Sequence, residues 1–213
     1  MKQRQLEIIL QQVPPPKAPK PALEQYMTPA PIAADILFTA YHWGDIERKT
    51  VVDLGCGTGI FAVGAVYMGA EEVYGIDVDK TVISLAKQHA RSKNLPIHFQ
   101  NKDVTSVTNQ CDTVLMNPPF GAQKSNQNAD RCFIEKGFEI AHVIYSLHLN
   151  KTIPFLEKMI HALHGELTYQ KDYEFPIKWM FEFHEKEVVT YKVTLLRILT
   201  HKEEPLNIRE PKS

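Results

Sequence analysis

The chain has 213 residues, 44% hydrophobic and 23% charged, which suits one domain with a full core and is ordinary for a globular protein. Its 24 Lys and Arg against 25 Asp and Glu give a net charge of −1, so a globally basic nucleic-acid binder is excluded and any such surface must be local. Three separated cysteines, Cys56, Cys111 and Cys132, exclude a disulfide scaffold and lack metal-ligand spacing. The reading is a reduced, cytoplasmic compartment (the nucleus too, in a eukaryote), with no metal and no membrane. No apolar run reaches about 18 residues, and the start MKQRQLEIIL is too short and polar for a signal peptide.

In chain order, residues 3–12 predict a short amphipathic helix with Leu6, Ile9 and Leu10 on one face. VPPPKAPKPA follows, with five prolines in ten residues, and must be an extended arm. A helix is expected from Pro31 to His42. From Thr50 strands and helices alternate: TVVDL, GIFAVGAVYMGA, EVYGIDV, KTVISLAKQHARSKN, IHFQNKD, CDTVLMN, a helix over Arg131–Ala141, VIYSLHL, and a helix over Ile153–Leu163. Two longer β-rich pieces, GELTYQKDYEF and EVVTYKVTLLRIL, close the chain. Such alternation predicts an α/β, Rossmann-like fold with helices on both faces of the sheet. The sheet would be seven-stranded and mostly parallel, with a C-terminal antiparallel β-hairpin. The division is an N-terminal helix and proline-rich arm (1–22), one domain (23–200) and a polar tail (201–213).

VVDLGCGTG ends one strand and opens a helix, with Gly55, Gly57 and Gly59 spaced G-x-G-x-G rather than as the dinucleotide fingerprint. Asp53 precedes the turn on the strand. A carboxylate there suits a ligand ammonium group and would repel a pyrophosphate. The next strand ends in GIDVD, where Asp77, beside Val78, can accept both hydroxyls of a ribose. The third ends in KDV, where Asp103, with Val104, can receive an adenine amino group. An acid, a glycine turn, a ribose acid and a base-edge acid at successive strand ends describe a pocket for S-adenosylmethionine. Cys56 reads as a small residue filling the turn, and Asp79 as the cap of the following helix.

The fourth strand of that series ends in MNPPFG, residues 116–121. Two prolines stop a strand, because proline lacks an N–H and fixes φ. In open α/β sheets ligands bind at the switch point between such strands. An exocyclic amine on a heteroaromatic ring is a poor nucleophile, since its lone pair is delocalised. The Asn117 amide oxygen and the Pro118 carbonyl could accept its two hydrogens and draw the nitrogen toward tetrahedral geometry. Pro118 and Pro119 stiffen the loop, so the acceptors need little reorganisation. An exposed Phe120 would offer a stacking face to a base removed from its helix. An ordinary Asn-Pro turn with a core Phe is the alternative.

DLGCGTG, GIDVD, NPPFG, YSLH and the upstream LEQYMTP together resemble the small-subunit ribosomal RNA N6-adenine methyltransferases of archaea and eukaryotes, the methyltransferase-like protein 5 family. The likeness runs from Leu23 to about Ile198 and implies the Rossmann-like fold of a class I S-adenosylmethionine-dependent methyltransferase. It implies that Gln25, Tyr26 and Thr28 fold over the methionine part of S-adenosylmethionine, and that Gly55, Thr58 and Ile60 supply the turn. By the same likeness Asp77 holds the ribose, Asp103 and Val104 hold the adenine, and Asn117, Pro118, Pro119 and Phe120 form the catalytic loop. RNA is the implied substrate, and a small zinc-binding activator subunit that covers an edge strand is the implied partner. One departure stands out: where the family carries a lysine-rich turn, this chain has FEFHEKE, with Glu182, Glu185 and Glu187 diluting Lys186. Lys17, Lys20, Lys124, Arg131, Lys171 and Lys178 are the other basic candidates for RNA contact. The nine histidines form no ligand cluster, and His148 reads as structural. A guanine-N2 RNA methyltransferase, a glutamine-N5 protein methyltransferase (which would show NPPY) and a non-catalytic ribosome-assembly factor are the competing readings.

Overall fold

Apolar residues of alternating parity decide which face of the sheet each helix covers. The computed structural model of the chain describes residues 1–121, 129–178 and 188–201. Seven strands run β1 (Thr50–Leu54), β2 (Glu72–Asp77), β3 (Ile97–Asn101), β4 (Cys111–Met116), β5 (Ala141–Leu149), β6 (Glu166–Lys178) and β7 (Val188–Leu199). They form one sheet in the order β3-β2-β1-β4-β5-β7-β6. The first five are parallel, and β7 enters antiparallel between β5 and β6. Among the described residues six α-helices cover it: α1 (Gln3–Leu10), α2 (Ala30–His42), α3 (Ile60–Tyr67), α4 (Lys80–Ser92), α5 (Ala129–Ile140) and α6 (Ile153–Ala162). Among the described residues no helix is long and apolar enough to cross a membrane.

Val51, Val73, Leu115, Tyr145, Leu147 and Leu195 point to the face packed by α1 to α4, and Val52, Leu54, Val114, Met116, Ile144 and Leu196 to the face packed by α5 and α6. This period-2 division is what a sheet covered on both sides requires. Asp53 therefore shares the Val51 face and looks at α3, while Asn117, one step past Met116, turns toward the layer of α1 and α2. Leu6 and Leu10 of α1 are fully buried, and α1 packs against α2 and α3, so the N-terminal helix is part of the core. The proline-rich stretch between α1 and α2 returns the chain across the C-terminal ends of the parallel strands, and its residues reach the cavity there.

At the opposite end, a buried polar cluster fastens the antiparallel strands to the parallel ones. Arg197 of β7 donates from Nε to Asp45 Oδ2 (2.8 Å) and from Nη1 to Thr168 Oγ1 (2.7 Å). Tyr145 of β5 donates to the same Asp45 oxygen at 2.6 Å. The Trp43 ring lies 4.3 Å from the guanidinium carbon, a stacking that suits arginine. Asp45 and Arg197 are 8% and 6% exposed, so neither charge can turn to water when the other is removed. Asp45→Ala is expected to destabilise the fold by about 3–5 kcal/mol, the usual consequence of stranding one member of a buried pair. Urea unfolding of the variant beside the wild type checks this; a loss below about 1 kcal/mol would show that the cluster is solvated.

Candidate functional site

The cavity lies where the sheet order reverses. Strand β1 pairs with β2 on one side and β4 on the other, so the loops after β1 and β4 leave in opposite directions and open a crevice. The register puts Leu54 opposite Met116, so the glycine turn and Asn117 begin at the same level. The crevice encloses about 380 Å³, within the range of small-molecule sites.

Most of the residues expected from the sequence line it: Gln25, Tyr26 and Thr28 from the arm, which runs on past Ala22 to the start of α2; Asp53, Gly55, Gly57, Thr58 and Ile60 around the first turn; Asp77 and Val78; Asp103 and Val104; Asn117 and Pro119. Gly59, Pro118 and Phe120 adjoin this wall without being among its lining residues. Gly55 has φ +73°, and a Cβ on it would come within 2.8 Å of the Phe133 ring; Gly59 has φ +89°, and a Cβ there would meet Phe99 at 2.7 Å. Both positions need glycine for conformation and for space. Phe133 and Cys132 of α5, Lys102, and Leu23 and Met27 of the arm also line the cavity without having been singled out. Leu23 and Met27 belong to LEQYMTP and Lys102 to KDV, but Phe133 and Cys132 lie outside the motifs, and only tertiary packing brings them in.

Three acids enter with different commitments. Asp53 is 1% exposed and accepts the Ala62 N–H at 2.9 Å, so one oxygen serves the first turn of α3. Burial pushes its carboxyl up to about 7, despite that hydrogen bond, with help from the nearby Asp77 charge. Asp77 accepts the N–H groups of Gly57 and Asp79, each at 2.8 Å, which fixes the carboxylate across the glycine turn. Its carboxyl is also raised by burial. Asp103 accepts from the N–H and hydroxyl of Thr105 (2.9 and 2.6 Å), bonds that lower its pKa.

Asp79 caps α4 through the Thr81 N–H (2.9 Å). It also accepts the Gln25 amide at 2.8 Å and pairs with Lys20 at 3.0 Å, so the arm is fastened beside the end of β2. Burial would raise its carboxyl, but Gln25, Thr81 and Lys20 outweigh that and hold it well below the usual carboxylate range.

At the end of β4, Asn117 Nδ2 donates to Thr28 Oγ1 at 3.0 Å. Its Oδ1 is buried with no hydrogen-bond partner. Such an atom costs about 1–3 kcal/mol in a free protein, and it sits on a residue of the cavity wall. The Phe120 N–H donates to Tyr26 Oη at 2.8 Å, and that hydroxyl lies 3.5 Å from the Pro118 carbonyl.

Phe120 departs from expectation. It is 8% exposed, with its ring 4.8 Å from Tyr26 and 5.7 Å from Phe175 of β6. The aromatic face offered to the cavity is that of Tyr26, and Phe120 supports it from behind.

The YSLH segment braces the loop from below. Ser146 Oγ lies 2.6 Å from His148 Nε2, and His148 Nδ1 lies 2.8 Å from Asp130 Oδ1 at the start of α5. This looks like a nucleophilic triad, but Ser146 and His148 are fully buried and outside the cavity. The chain of bonds instead pins the first turn of α5 to β5, beside the Met116–Ser146 register pair.

Of the basic candidates, Lys20 pairs with Asp79, Arg131 with Glu135 (2.8 Å) and Lys171 with Asp35 (2.6 Å), which offsets their charge locally. Lys17 is exposed. Lys124, the Lys178 side chain, the FEFHEKE turn and the tail after His201 lie outside the described residues.

An acid raised from 3.8 to about 7 by burial makes the native state bind more protons than the unfolded chain between those values. Asp53 therefore contributes a stability that is greatest below pH 4 and lost as pH rises toward 7. Asp53→Asn, which keeps an acceptor for Ala62, is expected to remove that fall. Denaturant unfolding of the free protein at pH 5 and 8 checks the sign: the stability of Asp53→Asn relative to wild type should be higher at pH 8, and no pH dependence in the difference would refute it.

The model of the family described as "Methyltransferase small domain" matches residues 32–141, a span that runs from α2 through the glycine turn and the NPPF loop to the start of β5. The chain is 37% identical to an uncharacterized protein of Methanocaldococcus jannaschii over 93% of its length and 94% of the relative's. It is 33% identical to the rRNA N(6)-adenosine-methyltransferase METTL5 of Danio rerio, over 92% of its length and 98% of the relative's. A Pyrococcus horikoshii protein, provisionally described as an RNA methyltransferase, has a crystal structure that superposes with a TM-score of 0.86 at 35% identity, covering 93% of this chain and 98% of that one. The acids, the glycine turn and the NPPF loop thus sit in a fold shared along nearly the whole length, and the chain belongs to the methyltransferase small-domain family, in the branch of the rRNA N(6)-adenosine-methyltransferases of the METTL5 type.

Proposed function

We propose that the protein methylates the N6 amine of an adenine in small-subunit ribosomal RNA, with S-adenosylmethionine as donor. The observation that carries this reading is Asn117 Oδ1, a buried acceptor without a partner at the end of β4, opposite the acid-lined glycine turn. The residues of the crevice fit the donor. Asp53 would face its ammonium group, Asp77 its ribose hydroxyls and Asp103 its adenine amine, while the open backbone at Gly57 leaves room for close approach. When bound, S-adenosylmethionine supplies an electrophilic methyl group on a sulfonium sulfur.

The chain's own part is to make a poor nucleophile competent. Asn117 Oδ1 accepts one N6 hydrogen, and the Pro118 carbonyl, which keeps a lone pair beside its long contact with Tyr26, accepts the other. Both bonds strengthen as the amine nitrogen leaves the ring plane and gains positive charge. No base has to remove a proton before attack; the proton is released to solvent afterwards. Tyr26 presents its ring to the base, with Phe120 and Phe175 fixing that ring from behind. The family resemblance carried by LEQYMTP and YSLH, and the METTL5 relative's name, support adenine in ribosomal RNA over guanine or protein glutamine. An activator subunit would find two free sheet edges, β3 and β6.

Incubation with ribosomal RNA and methyl-labelled cofactor, followed by nucleoside mass spectrometry, should place the label in N6-methyladenosine. Label on guanine N2 or on a protein glutamine would overturn the reading. Asp77→Ala should weaken cofactor binding by about 1.5–3 kcal/mol through loss of charge-assisted hydrogen bonds; unchanged calorimetric affinity would refute the ribose role. Asn117→Ala should lower single-turnover methylation about 100- to 1000-fold while leaving cofactor affinity nearly intact. Normal turnover would make NPPF a structural turn, whereas no methylation by the wild type would favour a non-catalytic assembly factor.

A further inference from the structure

An asparagine amide has two nearly isosteric orientations. In one, the carbonyl faces the site and can accept a hydrogen. In the other, the NH2 faces it and meets the target amine donor to donor. The reaction proposed above needs the first, so something must choose between them.

We propose that Thr28 holds the Asn117 side chain in the first orientation, as a positioning residue that acts through Asn117; its hydroxyl can donate as well as accept, and here it accepts from Nδ2. Its Oγ1 receives the Asn117 Nδ2 hydrogen at 3.0 Å, which leaves the buried Oδ1 without a protein partner and free for the target amine. The two side chains are held by backbone that has little freedom. Thr28 precedes Pro29 and Asn117 precedes Pro118, and a residue before proline is confined to extended conformations. Pro29 also starts α2, with its carbonyl accepting the Ala33 N–H at 2.9 Å, so Thr28 is set at the rim of a rigid helix. Thr28 is 3% exposed, so water does not easily replace its hydroxyl as the partner of Nδ2. Two residues earlier, Tyr26 Oη accepts the Phe120 N–H at 2.8 Å. Positions 26 and 28 thus hold the loop on both sides of Pro118 and Pro119, one through its amide side chain and one through its backbone. The bonds that orient the catalytic loop come from the arm, which also covers the cofactor end of the crevice.

This inference rests on the functional reading above, and the experiment separates the two. Thr28→Val keeps the volume and removes the acceptor; Thr28→Ser keeps the acceptor. Single-turnover methylation at saturating S-adenosylmethionine should fall about 10- to 100-fold in Thr28→Val and return to within a few-fold of wild type in Thr28→Ser. Calorimetric affinity for S-adenosylmethionine and S-adenosylhomocysteine should change less than about threefold, well under the rate loss. In the Asn117→Ala background Thr28→Val should cost nothing further, because its effect passes through the missing amide.

A fast Thr28→Val, an equal loss in the double variant, or a loss of cofactor affinity that matches the loss of rate would each overturn the assignment. If Asn117→Ala is slow while Thr28→Val is fast, only the Thr28 role fails. If Asn117→Ala is itself fast, the functional reading fails first.

Discussion

The pairing of β1 with β4 sets the height of everything at the site, because Leu54 and Met116 are the last residues in register and the next residue on each strand leaves the sheet. Parallel neighbours end at the same edge, so the glycine turn and Asn117 face each other across one crevice without any further device. The period of two then assigns sides. Asp53 shares the face of α3 and Asn117 the face of α2, which is why the acid is tied to the Ala62 N–H and the amide to Thr28. A one-residue slip between these strands would turn Asn117 to the face of α5 and α6.

The free protein holds several groups in unfavourable states at this edge. Burial raises the carboxyls of both Asp53 and Asp77, and the Asp77 charge raises Asp53 further; Asn117 Oδ1 lacks a partner. Each of these is costly alone and is relieved by the ligand groups proposed for it: a cation beside Asp53, hydroxyls beside Asp77, an amine beside Asn117. The brace below is, by contrast, fully satisfied. Asp45, Tyr145 and Arg197 close their hydrogen bonds among themselves, as do Ser146, His148 and Asp130. The strain is therefore local to the crevice and rests on a satisfied frame, as preorganised sites require.

Nearly all the strands and helices were legible, because each carries a period of two or 3.6 and is bounded by glycine or proline. The acids at the strand ends were legible for the same reason: a strand end is marked by where the apolar run stops. Phe120 was not. Its burial depends on Phe175 in β6 and Tyr26 in the arm, both distant in sequence, and no local pattern encodes that meeting. Arg197, within an apolar run of β7, likewise makes sense only against Asp45, a turn residue at the other end of the chain. The hairpin was readable, but not the insertion of β7 between β5 and β6, since the register with β5 is decided by which side chains fit the layers above and below. Phe133 and Cys132 were missed because α5 reaches the cavity through packing alone.

The arm links the two ends of the crevice in a way that neither motif states. Asp79, close to Asp77, holds Lys20 and Gln25, and a few residues on Tyr26 and Thr28 grip the NPPF loop. The five prolines before Ala22 and the pre-proline position of Thr28 reduce the freedom of the unbound segment, so fixing it costs less entropy than an ordinary loop of that length. Contacts at the cofactor end and at the catalytic end are thus made by one stiff, covalently continuous piece. Ordering it at one end favours ordering it at the other, through chain connectivity and two pairs of hydrogen bonds. Under the proposed function, the acceptor for the target amine would be set only when the segment over the cofactor is in place, so that a single element assembles both halves of the site.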